Sequence, residues 1–181
     1  MKNNVIEKMS HEQALEILRR LARDNPKIKK QIEIEAEKEL KEIDVESICD
    51  DVYFALDGID VEELWDRSGS SRHGYSAPED VAVEMMEEEL APYNEEVIRY
   101  FKMVMDKEAK LYCMGVLKGI YRYEQESKSE FKDWSEDVPG KCFGDLLGEW
   151  RKRTTNKDVI KEMNKFIEKE CVKLTKRTCQ E

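Results

Sequence analysis

The sequence predicts an all-α fold, either an antiparallel helical bundle or a short α-solenoid of about eight to ten helices. Three observations predict it. Ala, Glu, Lys, Leu and Arg make up 79 of the 181 residues, a composition that approaches that of long amphipathic helices. Only 8 Gly and 4 Pro are present, too little turn material for a many-stranded sheet. Apolar residues recur at three- and four-residue spacings in almost every segment. Charged residues reach 40%, where an ordinary chain has about 25%. Ile, Val, Leu and Phe together number 41, just above the fraction below which so charged a chain stays unfolded. The length fits one helical domain over 10–177, preceded by a flexible tail over 1–9.

Ser10 and Gln13 form a capping-box signature, and Ala14, Leu15, Ile17, Leu18, Leu21 and Ala22 give the helix behind it one apolar face. Asn25 and Pro26 have the pattern of an N-cap and first helical residue, followed by Ile28, Ile32, Ala36 and Leu40 on a narrow stripe. Asp44 caps a third helix that carries Val45, Ile48, Cys49, Val52, Leu56 and Ile59 and ends near Gly58. Asp60 opens a short turn whose Leu64 and Trp65 are expected to plug into the core. Residues 67–77, RSGSSRHGYSA, are loop-like, and Ser76 with Pro78 restarts a helix.

Ala82, Met85, Met86 and Leu90 line the next helix, which Pro92 is expected to end or kink because it lacks an amide proton. Val97, Ile98, Phe101, Val104 and Met105 mark another, and Asp106 is placed to cap its successor, Lys107 to Glu124. That helix is apolar nearly all round at LYCMGVLKGIY, so it belongs in the middle of the domain. Gly115 and Gly119 share one face and leave room for a neighbouring helix. A short helix near 130–136, one over 139–153 and a basic one over 156–176 complete the chain. No alternating strand pattern stands out.

Charge is distributed unevenly. Residues 41–100 carry a net charge of -14 and residues 151–181 a net +5. An acidic middle repels phosphate backbones, so nucleic acid is not an expected partner. The lysines at 157, 161, 165, 169 and 173 wind round their helix and are expected to be solvated or to neutralise the chain's own acidic surface. The five cysteines, Cys49, Cys113, Cys142, Cys171 and Cys179, contain no C-x-x-C pair and suggest free thiols in a reducing compartment. No export signal or membrane span is legible, and a cytoplasmic location is expected.

Chemistry-bearing patterns are few. Neither His11 nor His73 belongs to a zinc motif, and the run Asp50 to Asp66 lacks the order of a calcium loop, so no metal or other cofactor is expected. PGKCFG lacks the order of a phosphate loop. Cys142, near a helix start, is the best candidate for a lowered thiol pKa, whereas Cys113 has the setting of an inert core residue. The segment most like a binding site is Arg67, Arg72, His73 and Tyr75, interleaved with Ser and Gly. These side chains suit a carboxylate or phosphate ligand, or a clamp onto the acidic helices beside them.

The stretches DVYFALDGIDVEELWDRSGSSRHGY, APED and LYCMGVLKGIYRYE, between Asp51 and Glu124, resemble the helical-repeat region of uncharacterised prokaryotic proteins, some of which also carry a SWIM-type zinc finger. The resemblance implies an all-helical interaction domain. The finger's cysteine and histidine pairs are absent here, so zinc and finger-associated DNA binding do not follow from it.

The expected function is therefore that of a protein–protein interaction module or adaptor, not an enzyme, with another protein as partner and self-association possible. The alternative is a small-molecule or anion-binding protein that uses the Arg67 to Tyr75 loop.

Overall fold

The computed structural model describes residues 6–71 and 74–172. Its described part is all-α apart from one small hairpin: eight α-helices, two short 3-10 turns and two three-residue strands. The chain divides into two compact units, Met1–Glu42 and Ile43–Glu181.

The first unit contains the 3-10 turn Ile6–Lys8, which falls within the expected tail, and the paired helices α1 (His11–Asp24) and α2 (Pro26–Lys41). The capping box forms as the sequence suggests: the Gln13 amide donates to Ser10 Oγ at 3.2 Å, and the Ser10 amide to Gln13 Oε1 at 3.0 Å. Asn25 Oδ1 accepts from the Lys27 amide at 3.0 Å and opens α2. No side chain of α1 is buried.

The second unit is a bundle around one central helix. Its elements are α3 (Val45–Asp57), α4 (Val61–Arg67), β1 (Gly69–Ser71), β2 (Gly74–Ser76), α5 (Pro78–Lys102), α6 (Asp106–Glu126), α7 (Val138–Arg153) and α8 (Lys157–Glu170), with a 3-10 turn at Glu130–Trp134. As its sequence predicts, α6 lies in the middle, packed by α3, α5, α7 and α8. Cys113, Val116, Leu117, Ile120 and Tyr123 of α6 are sealed from solvent. Val52 and Leu56 from α3, Met86 and Leu90 from α5, Trp150 from α7 and Met163 from α8 meet them in a common core.

The closest packing is between α3 and α6. A Cβ built on Gly115 would fall 2.7 Å from Ile48 Cβ, and one on Gly119 would fall 2.6 Å from Val52 Cβ. The two glycines thus bring the backbones together and let β-branched side chains fill the gap. Charge reinforces the same pair: Lys118 Nζ meets Glu46 at 2.6 Å and Glu170 at 3.4 Å, tying α3 and α8 to α6. Arg122 pairs with Asp50 and Glu126, its guanidinium 4.6 Å from the centre of the Tyr53 ring.

Several expectations are corrected. Residues 69–76 are not all loop: β1 and β2 pair antiparallel, Ser70 opposite Tyr75. Three-residue strands, Gly-Ser-Ser and Gly-Tyr-Ser, are too short and too polar to show a hydrophobic alternation, which is why the pattern is invisible in the sequence. Pro92 does not end its helix, and the two helices expected on either side of it are one, α5. Pro92 lies on the exposed face, where water can replace the missing donor, while Leu90, Val97 and Tyr100 hold both halves against the core. Ser76 is not the cap of α5; Ala77 occupies that position without a side-chain bond. Asp106 is the first residue of α6, not its cap, and Met105 precedes it. Trp65 does not enter the core: Leu64 takes the buried position, and its neighbour Trp65 stacks edge-to-face on Trp134 with ring centres 4.8 Å apart. The basic helix α8 ends at Glu170 with Cys171 as its C-cap, and the last part of its expected span, 173–176, lies outside the described residues.

Candidate interaction surface

Two surfaces bear on function, the Arg67 to Tyr75 segment singled out in the sequence and the open face of α1. At the first, α4 places Arg67 one turn after Glu63, and α5 brings Glu88 to the other side of it. Arg67 Nη2 donates to Glu63 at 2.6 Å and Nη1 to Glu88 at 2.7 Å. The two carboxylates hold the guanidinium pKa above its ordinary value, Glu88 foremost. Tyr75, on β2, is 70% exposed and makes no hydrogen bond with Arg67 among the described residues. Arg72 and His73 lie outside the described residues. Of the two roles the sequence leaves open for Arg67, its geometry is that of the clamp onto its own acidic helices. An incoming anion would have to displace both carboxylates.

The second surface follows from the pattern of α1. Ile17, Leu21, Ala14, Leu18, Ala22 and Leu15 span an arc of about 160° on a helical projection, wider than a single neighbouring helix covers. Ala14, Ile17 and Ala22 are half-buried, whereas Leu15, Leu18 and Leu21 are 48%, 45% and 41% exposed. Ile34 of α2 is also exposed. The sequence shows these residues as one apolar face, but nothing in it indicates that the face is left open. Glu12, Glu16, Arg19, Arg20 and Arg23 surround the leucines with both signs of charge. Residues 1–42 carry a net charge of +1, against -11 for the remainder.

The four described thiols, Cys49, Cys113, Cys142 and Cys171, are all buried, and Cys179 lies outside the described residues. Burial pushes Cys142 up to about 11, contrary to the lowered value its place near a helix start suggests, because its desolvation outweighs the nearby amides. Cys113 is raised by burial alone, and Cys171 is pushed up to about 12. Among the described residues no three His, Cys, Asp or Glu side chains are grouped to hold a metal ion, and no helix is long and apolar enough to cross a membrane.

These features define an all-α protein with a glycine-packed helical core and an amphipathic helical hairpin. Comparisons with protein-family models, curated proteins and solved structures found no match.

Proposed function

We propose that the protein is an interaction module that associates with a second copy of itself through the α1–α2 hairpin. The observation that carries this reading is the exposed leucine row, Leu15, Leu18 and Leu21. Two helices of 14 and 16 residues are marginal alone, and an arc this wide needs a further helix against it. Two hairpins laid face to face supply that in a four-helix bundle. Charge favours a second copy's hairpin as the occupant. The hairpin is nearly neutral with both signs interspersed, so two of them meet without repulsion, whereas two acidic bodies repel. The resemblance to helical-repeat interaction regions is in keeping with the same reading, and the reading assigns the protein no catalytic role.

Covering each half-exposed leucine contributes about 1 kcal/mol, enough across two copies to offset association costs only modestly, so a dissociation constant of roughly 10 µM to 1 mM is expected. Sedimentation velocity across that range gives a rising mass for the wild type. The combined Leu15→Lys, Leu18→Lys and Leu21→Lys variant remains monomeric and retains the cooperative unfolding of the second unit. A wild type that stays monomeric at about 1 mM, or a variant that associates as before, overturns the proposal.

A further inference from the structure

The charges beside the open leucines of α1 are ordered by sign along the helix. Glu12 and Glu16 stand in its first half and Arg19, Arg20 and Arg23 in its second, all of them exposed. At about 100° per residue, Glu12, Glu16, Arg19 and Arg23 fall within roughly 60° of one another, on the flank next to Leu15, the most exposed of the three leucines. Among the described residues none of the four is held in an ion pair. Acidic residues early and basic residues late also suit the helix's own dipole, but the dipole acts equally on every face and does not account for four charges on one flank.

The apolar residues of α1 are arranged symmetrically about Leu18. Leu15 and Leu21 lie three residues to either side of it, and Ala14 and Ala22 four residues to either side. A two-fold axis through Leu18 therefore sets Leu15 of one copy against Leu21 of the other and Ala14 against Ala22. In such an antiparallel pair the same flank of each helix meets its counterpart, so Glu16 faces Arg19 and Glu12 faces Arg23 of the second copy, each pairing being made twice. A parallel pair instead places the arginine halves side by side, at the cost of like-charge repulsion.

Charge beyond the hairpin favours the same orientation. Each α2 runs on into a remainder of net charge -11. Parallel copies gather both α2 ends on one side and bring those charges together, whereas antiparallel copies hold them at opposite ends.

We propose that two copies pair antiparallel through α1, on a two-fold axis at Leu18, with Glu12 and Glu16 of each copy facing Arg23 and Arg19 of the other. This rests on the reading that the hairpin self-associates, and it adds what the surface selects: the same helix reversed. Because the patch is its own complement, the assembly closes at two copies.

The test uses two full-length variants, Arg19→Glu with Arg23→Glu and Glu12→Lys with Glu16→Lys, in sedimentation velocity at low ionic strength. One variant carries only acidic charge on that flank and the other only basic. Each alone is expected to self-associate at least tenfold more weakly than the wild type, and an equimolar mixture to form a mixed dimer within about threefold of the wild-type dissociation constant. A second measurement is independent of charge. In a Cys179→Ser background, where the four remaining thiols are buried, Leu15→Cys and Leu21→Cys are oxidised with oxidised glutathione at concentrations that dimerise the wild type. Antiparallel copies hold the two positions 15 about 9 Å apart along the axis, beyond disulfide reach, while 15 meets 21. The mixture of the two cysteine variants is expected to cross-link and neither variant alone. If the wild type dimerises but the charge variants associate as it does, the mixture of charge variants fails to recover, or Leu15→Cys cross-links to itself, the antiparallel arrangement is overturned and the hairpin reading stands. A wild type that stays monomeric overturns both.

Discussion

Gly119 of α6 lies so close to Val52 of α3 that a Cβ added to it would stand 2.6 Å from Val52 Cβ and 2.9 Å from the Cys49 carbonyl oxygen. Neither obstacle is the end of a flexible side chain, so the clash can be relieved only by moving a helix. In an exposed helix, Gly to Ala is worth about 1 kcal/mol of stabilisation. Here overpacking costs more than that, and Gly119→Ala is expected to lower stability by about 1–3 kcal/mol. Urea unfolding followed by circular dichroism reads it directly. A midpoint equal to or above the wild type's would show that α3 and α6 do not pack in this way.

The turn between α5 and α6 carries the opposite opportunity. Val104 has φ 60 and is the only described non-glycine residue with positive φ. Its amide donates to the Phe101 carbonyl and that of Met105 to the Tyr100 carbonyl, both at 3.0 Å, which is the Schellman arrangement with valine where glycine is customary. A β-branched residue there costs about 1–2 kcal/mol, and Val104, 84% exposed, has little packing to lose. Val104→Gly is therefore expected to stabilise the protein by about 1 kcal/mol and to raise the melting temperature by about 2–4 °C. A lowered melting temperature would contradict the left-handed geometry.

Alkaline pH is expected to destabilise the fold before acid-labile contacts matter. Burial pushes Cys142 up to about 11 and Cys171 up to about 12, while Tyr112 and Tyr123 are also pushed up to about 12. Each is raised above its unfolded value, so the folded chain retains protons that the unfolded chain releases. The stability these groups contribute is fully present below pH about 8, starts to fall as pH passes the unfolded thiol value of about 8.5, and is lost progressively as pH rises toward 11 and 12. Urea midpoints at pH 8, 9, 10 and 10.5 should fall in order. A flat profile would mean that these groups are not desolvated.

Much of the helix inventory is legible in the sequence because its causes are local. Ser10, Asn25, Asp44, Asp60 and Asn156 each bond an amide within three residues, so the capping residue and its target are neighbours in the chain. Pro92 is misread by the same local logic, since only the packing of Leu90, Val97 and Tyr100 keeps α5 continuous. Arg67 is half legible: Glu63 is one turn away on its own helix, but Glu88 arrives from α5.

The contrast between α1 and α3 divides what each level decides. Both show apolar residues on one face and a side-chain cap in front, and both are helices, because periodicity and capping act over three or four residues. In α3 the face is buried, with Val52 and Leu56 at zero exposure, whereas in α1 the leucines remain open. The sequence by itself determined that each face would exist. Only the tertiary structure decided which would be covered, because burial requires a complementary surface such as the glycine face of α6, and that surface comes from a distant part of the chain.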